Sequence, residues 1–417
     1  MRRCDGARLA ADLAALARIG ATPDGGVTRL AFSPEDREAR ALVASWMRDA
    51  GLEVRSDAAG NLIGRREGLS ERRAIAVGSH IDTVPNGGRY DGALGVLAGI
   101  ECARALAAGG PPLRHALEVI AFANEEGARG SAWLFGSRAV AGLLEPEEVG
   151  RPDEEGLALA DRVAVFTGGP NAIDGARRPP SDFRAYLELH VEQGPMLQAL
   201  GCPIGVVEGI TGRVSMQATF RGAANHAGTT PMDLRRDALV AAAHMVLEVR
   251  RLVLDERLAR VGTVGQLAVE PNALNIIPGV ARVALELRDG SDEVLAAVPE
   301  RIRRSAEAIA TRSGTAVEVH HLGTTRAVPT SPAMQAAIER AAATCGLRTY
   351  RLPSGAGHDA LAMGHLTEMG MIFVPSAGGV SHSPRESTSA AACVDGCDVL
   401  LNAIAETDQL PVLAGEN

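Results

Sequence analysis

The chain has 417 residues, long enough for two domains and a large buried core. Its 46% hydrophobic and 22% charged residues are the balance of a soluble globular protein. A formal net charge of −9 argues against nucleic-acid binding, which calls for a basic patch.

Taken in chain order, Leu9, Leu13, Leu16 and Ile19 recur at helical spacing and predict an amphipathic helix. Asp12 and Arg18 interrupt this stretch, which reads against a secretory signal. No run approaches the ~20 apolar residues that cross a membrane. Six scattered cysteines without a C-x-x-C pair fit a reduced, cytoplasmic setting. A helix is predicted over 36–51, a strand over 74–79, a helix over 92–107 ended by Gly109 to Pro112, and a strand over 117–123. This alternation predicts an α/β layer on a mixed sheet, with ligands gathering beyond the carboxyl ends of its strands. Leu187, Leu189 and Val191 alternate with Glu188, His190 and Glu192, as in a strand facing two environments. From about 213 the pattern changes. Strand, helix (236–255, with Asp233 as candidate cap), strand (261–269), strand (280–288), helix (292–312) and strand (316–321) occur in ferredoxin-like α+β order. The expected organisation is a catalytic domain of residues 1–212 and 329–417, with 213–328 inserted.

Five segments carry candidate chemistry. In Gly78-Ser79-His80-Ile81-Asp82-Thr83-Val84-Pro85, residues two apart share a strand face. Asp82 is therefore predicted to accept the second ring N–H of His80 with its carboxylate, as acids commonly do behind a metal-bound histidine. A plain His–Asp pair at a strand end is the competing reading. Asp91, in Gly87-Gly88-Arg89-Tyr90-Asp91-Gly92, precedes a helix and, taken alone, reads better as its cap. A carboxylate there can also bridge two cations, which a histidine cannot. Glu125 and Glu126 come directly after the apolar run Val119–Ala123 and Asn124, and such adjacent acids repel unless a cation or proton intervenes. His190 and His382 each close an apolar stretch. A lone buried histidine is more often a structural hydrogen-bonder than a ligand, and spacing alone does not bring these five groups together.

The strings Gly78–Pro85, Gly87–Gly92, Asn124–Gly127, His190–Pro195, Ala227–Met232, Asn275–Pro278, Ser354–Ala360 and Gly378–Ser383 run through most of the chain. In them it resembles the M20 peptidase superfamily. The closer resemblance is to the branch of N-carbamoyl-L-amino acid hydrolases, β-ureidopropionases and allantoate amidohydrolases. The resemblance implies two divalent metal ions, Zn or else Mn, Co or Ni, on histidine and carboxylate ligands. It places His80 and His190 on one ion, Glu126 and His382 on the other, and Asp91 between them. Glu125 resembles the general base, with Asp82 supporting His80 and His226 resembling an oxyanion-stabilising histidine. Gln193, Asn275, Arg288, Gly357 and His358 fall toward the substrate, Arg288 suiting a carboxylate clamp. An ion pair with Asp289 is the alternative for Arg288. For His358 and Asp359 a structural role competes.

The resemblance thus implies a hydrolase of a linear carbamoyl or ureido C–N bond, releasing amino acid, carbon dioxide and ammonia. A small molecule is its only expected partner besides a second copy of itself, a homodimer formed through the inserted lid and dimerisation domain. Allantoate amidohydrolase, an N-acyl amino acid amidase or peptidase on the same scaffold, and a non-catalytic metal-binding module are the alternatives. No ligand or base is missing from the motifs, which speaks against the last.

Overall fold

Strands alternate with helices through the first half of the chain, and the computed structural model describes residues 2–109, 111–130, 132–153, 155–169 and 173–411. They form two units, Met1–Glu208 with Pro329–Asn417, and Gly209–Val328. Among the described residues no helix is long and apolar enough to cross a membrane.

In the first unit a mixed sheet runs Glu53–Ser56, Leu62–Arg66, His115–Phe122, Glu71–His80, Phe183–Val191, Met369–Val374, Ile204–Ile210. The four strands from His115–Phe122 to Met369–Val374 are parallel to their neighbours within that group, with antiparallel strands outside them. Parallel strands are covered on both faces, which is why these segments read as near-continuous apolar runs. Every residue of His115–Phe122, Phe183–Val191 and Met369–Val374 is buried. The two environments that Phe183–Val191 faces are both inside the protein. Glu188 is closed inside, accepting from Ser79 Oγ (2.7 Å), Tyr186 Oη (3.1 Å) and the Ala360 N–H (2.8 Å).

Helix Ala93–Ala108 is buried on most sides, through Leu94, Val96, Leu97, Ile100 and Cys102 among others, as its nearly all-apolar sequence requires. The helix predicted from residue 36 begins earlier, as Pro34–Asp49. Ser33 caps it by accepting from Asp36 N–H, and Pro34 occupies the first turn, where no N–H is needed.

The C-terminal helix Ala390–Gln409 is tied to the sheet by Asp408. Its carboxylate accepts from the Arg114 N–H (3.0 Å) and the His115 N–H (3.0 Å) and lies 2.9 Å from His115 Nδ1. Burial pushes this carboxyl up, but His115 and the two backbone donors hold it below its ordinary value. A carboxyl depressed in the fold contributes stability above its unfolded pKa of about 3.9, and that contribution is lost as pH falls through the folded value. Asp408→Asn is therefore expected to destabilise the chain at neutral pH by about 1–3 kcal/mol. The gap from wild type should narrow below about pH 4. Thermal melts across pH check this, and a gap that stays constant down to strong acid contradicts it.

The second unit has the order Gly212–Arg221, Ala238–Leu254, Val261–Glu270, Val280–Asp289, Asp292–Ser313, Ala316–Thr325. Its antiparallel sheet is arranged Ala316–Thr325, Gly212–Arg221, Val280–Asp289, Val261–Glu270, a ferredoxin-like α+β unit. Alternate residues Val214, Met216, Ala218 and Phe220, with Ala281, Val283, Leu285 and Leu287, pack on Met245, Val249, Leu252, Val298, Ile302 and Ile309 of the two helices. The cap of helix Ala238–Leu254 is Asp237, not Asp233. The Asp237 side chain accepts from Leu239 N–H and Val240 N–H, while Asp233 sits in the short turn Met232–Leu234.

Candidate active site

The carboxyl ends of the parallel strands share one edge of the sheet, and the candidate ligands gather there. His80 is the last residue of Glu71–His80, and His190 the penultimate residue of Phe183–Val191. Asn124, Glu125 and Glu126 lie just beyond His115–Phe122. Asp91 precedes helix Ala93–Ala108, and His382 lies in the loop beyond Met369–Val374.

Asp91 is the centre of the arrangement. Its Oδ1 is 3.1 Å from His190 Nε2 and 3.5 Å from His80 Nε2. Its Oδ2 is 3.3 Å from His382 Nε2, which is 3.5 Å from Glu126 Oε2. Glu125 Oε2 is 3.6 Å from His80 Nε2. The ring orientations are fixed from behind. His80 Nδ1–H donates to the Asp82 carbonyl (3.0 Å) and His190 Nδ1–H to the Val191 carbonyl (2.9 Å), leaving each Nε2 facing Asp91. The Gly92 N–H lies 3.1 Å from His190 Nε2.

Asp82 therefore needs a correction. Its backbone carbonyl, not its carboxylate, holds His80; the carboxylate is 3.9 Å from Nδ1. The carboxylate instead accepts from the N–H groups of Glu125 and Glu126, both at 3.3 Å, and so fixes the acidic pair. The strand ends at His80, so strand alternation no longer governs Asp82, and the buried Arg29 guanidinium donates to the Ile81 carbonyl (2.6 Å).

The electrostatics call for cations. Burial pushes the Glu125 carboxyl well above the usual range, with Glu126, Asp359 and Asp82 adding to it. Burial and the Asp91 charge raise Glu126 to about 7. The hydrogen bond to Asp91 raises His382 to about 9. Burial would raise Asp91 too, but the three imidazoles hold it well below its ordinary value. So many buried acids around a few imidazoles are a poor arrangement without added positive charge.

The donor set fits divalent ions. His80, Asp91 and His190 form one trio and Asp91, Glu126 and His382 another, each with its ligand atoms within 4.8 Å of one another. Bonds of ~2.0 Å to a tetrahedral ion place ligand atoms roughly 3.3 Å apart. The separations of 3.1–3.5 Å within the trios match that spacing. Gly92 permits the closeness. It has φ +63°, and a Cβ there would lie 2.4 Å from His80 Nε2.

Other predicted residues stand nearby in different roles. Gln193 Nε2 donates to Asp91 Oδ2 (2.8 Å), so its amide holds the central carboxylate. Asn124, Gln193 and His382 all have positive φ, between 52° and 58°; such conformations cluster where a site imposes them. His358 is buried against the His190 ring at 4.4 Å between centroids and pairs through Nε2 with Ser354 Oγ at 2.9 Å. Burial and His190 keep it well below the ordinary histidine range, hence neutral. Gly357 makes room for Trp133, whose ring lies 2.2 Å from where a Cβ would stand. Ser381, inside the Gly378–Ser383 string but given no role there, and Glu386, outside every string, also belong here. Ser381 Oγ lies 2.9 Å from Asp91 Oδ2, and Glu386 accepts from Tyr90 N–H (2.8 Å) and Asp91 N–H (3.1 Å).

The remaining predicted residues belong to the second unit. His226 and Asn275 are exposed and adjacent, on a two-stranded ribbon in which His226 pairs with Ile276 and the Ala227 N–H donates to the Asn275 carbonyl (3.0 Å). His226 Nδ1 accepts from Gly228 N–H at 3.1 Å. Arg288 Nε donates to Glu286 (2.6 Å).

Residues 76–406 match peptidase family M20/M25/M40. An N-carbamoyl-L-amino acid amidohydrolase of Geobacillus stearothermophilus is 43% identical over 96% of this chain and 98% of its own length. An allantoate amidohydrolase of Bacillus subtilis is 36% identical over 90% and 91%. Among solved structures, a hydantoinase/carbamoylase family amidase of Burkholderia multivorans superposes with a TM-score of 0.91 at 36% identity, covering 98% of this chain and 99% of that one.

Proposed function

Because this chain belongs to peptidase family M20/M25/M40, a family of hydrolases, we propose that it cleaves the linear carbamoyl C–N bond of an N-carbamoyl-L-amino acid. The products would be the amino acid, carbon dioxide and ammonia. The observation that carries this reading is the Asp91 carboxylate, with His80 and His190 on one oxygen and His382 on the other.

In this reading His80 and His190 would hold one divalent ion and Glu126 and His382 a second, with Asp91 available to both. Such ions supply Lewis acidity and lower the pKa of water toward neutrality. Glu125, buried beside His80, takes a proton from the attacking water and passes it to the leaving nitrogen. Asp82 holds Glu125 and Glu126 through their backbone, and Gln193 and Ser381 hold Asp91. His226 donates to the oxyanion of the tetrahedral intermediate. Arg288 and Asn275 receive the substrate carboxylate, Arg288 leaving its Glu286 partner to do so. Gly357 and His358 shape the wall behind His190. Residues 213–328 serve as lid and dimerisation domain. The exposed Val240, Leu247 and Leu254 of helix Ala238–Leu254 and Val261 and Leu267 of the edge strand support a homodimer contact there.

The test is ammonia release by manganese- or zinc-loaded protein from N-carbamoyl-L-amino acids, N-carbamoyl-β-alanine, allantoate and N-acetyl amino acids side by side. The expected result is preferential turnover of an N-carbamoyl-L-amino acid. Turnover of allantoate alone would keep the mechanism and replace the substrate. Silence on every substrate, with metal bound, would overturn the substrate class.

A further inference from the structure

The cysteines are scattered in sequence, yet three of them converge away from the Asp91 site. Cys4 lies just before helix Gly6–Leu16, Cys102 on helix Ala93–Ala108 and Cys397 on helix Ala390–Gln409. Their sulfurs lie within 4.8 Å of one another, and Cys4 Sγ and Cys397 Sγ are 2.8 Å apart. Cys102 and Cys397 are buried; Cys4 is half-buried and so within reach of a small solute. The backbone at Cys4 is pinned on both sides. The Cys4 N–H donates to Asp398 Oδ1 (2.7 Å), and the Asp5 N–H donates to Glu101 Oε1 (2.8 Å). These two carboxylates neighbour Cys397 and Cys102 in sequence, so the contacts that seat Cys4 also aim it at the other sulfurs.

Three thiols can hold a soft metal or can oxidise, and the spacing decides between them. Sulfurs bound at ~2.3 Å to one tetrahedral zinc stand roughly 3.8 Å apart. A disulfide places them ~2.05 Å apart. The Cys4–Cys397 separation of 2.8 Å is too short for both to bind one ion without opening. It is about 0.8 Å from bonding distance. Among the described residues no fourth histidine, cysteine or acid joins the trio. Asp398 and Glu101 are engaged by Arg3 and Arg8.

We propose that Cys4 and Cys397 form a reversible disulfide when the chain meets a peroxide. The Cys4 thiolate attacks one peroxide oxygen, the O–O bond breaks, and hydroxide leaves a sulfenic acid on Cys4. The Cys397 sulfur then attacks the Cys4 sulfur and displaces a second hydroxide. Protons from the two thiols convert both hydroxides to water, so two thiols are oxidised and one peroxide is reduced. The neighbouring thiols favour the first step: hydrogen bonds from Cys102 and Cys397 lower Cys4 to about 6, against the opposing effect of burial. The product clamps the segment before the first helix to the C-terminal helix. Neither cysteine touches the proposed catalytic groups, so hydrolysis does not depend on the bond.

The experiment uses the full chain, wild type and Cys4→Ser. Each is fully reduced, freed of reductant, and treated with stoichiometric hydrogen peroxide with and without a chelator. It is then alkylated and mapped by mass spectrometry without reduction. Wild type is expected to give a Cys4–Cys397 linked peptide, with free thiols falling from six to four. A dithiol reductant should reverse both changes. Cys4→Ser should give no such peptide and should hydrolyse substrate at the wild-type rate. Absence of the link, a link from Cys4 to Cys102 instead, or a trio that resists alkylation until a chelator removes a bound ion would overturn the proposal. The wild-type map decides the matter even if the variant fails to fold.

Discussion

Replacing Glu125 by Gln is expected to lower turnover by about 10²–10⁴-fold while leaving two ions bound per chain. The amide keeps the shape of the side chain but cannot take a proton. Glu125 lies outside both trios built on Asp91, although its Oε2 comes within 3.6 Å of His80 Nε2. That proximity makes the metal count as informative as the rate. Elemental analysis of the loaded variant, run beside ammonia release, separates the two roles. A lost ion would make Glu125 a ligand, and wild-type turnover would remove it from the chemistry.

Gly92→Ala should be nearly as damaging, although glycine brings no side chain to the site. Its φ of +63° disfavours an L side chain, and the new Cβ would stand 2.4 Å from His80 Nε2. The His80 ring has nowhere to go. It is buried, with Nδ1 held by the Asp82 carbonyl and the adjoining Ile81 carbonyl held by Arg29. The variant should therefore lose the ion shared by His80 and His190 and keep the one on Glu126 and His382. Displacing a positioned group by about an ångström costs on the order of 10²-fold in rate. A variant with two ions and unchanged kcat would show that the Gly92–His80 contact does not set the geometry.

Much of this arrangement is legible in the sequence, and the gaps have physical causes. Parallel strands buried on both faces leave long apolar runs, so the strands ending at His80 and Phe122 stand out. The same double burial means that the alternation around Glu188 marks two buried environments. Strand periodicity puts Asp82 and His80 on one side and points to the carboxylate as their link. The chain has left the strand by then, and Arg29, far away in sequence, holds the Ile81 carbonyl. Glu386 and Ser381 lie in a polar loop with no periodicity, and their contact with Asp91 spans almost 300 residues, 295 for Glu386 and 290 for Ser381. Asp233 and Asp237 both precede the helix, and only the backbone conformation selects Asp237 as cap. The cysteine trio joins two helices and the segment before a third through tertiary contacts, which spacing along the chain does not encode.

One carboxylate serving two cation sites is the centre of the proposed mechanism, so the most direct measurement is metal stoichiometry in wild type and Asp91→Ala. Both proteins would be stripped, reloaded with manganese or zinc, and analysed for metal per chain. Two ions are expected for wild type and loss of both from the variant, since each trio contains Asp91. A wild-type chain that saturates at one ion, or a variant that keeps two, would contradict a shared Asp91 bridge.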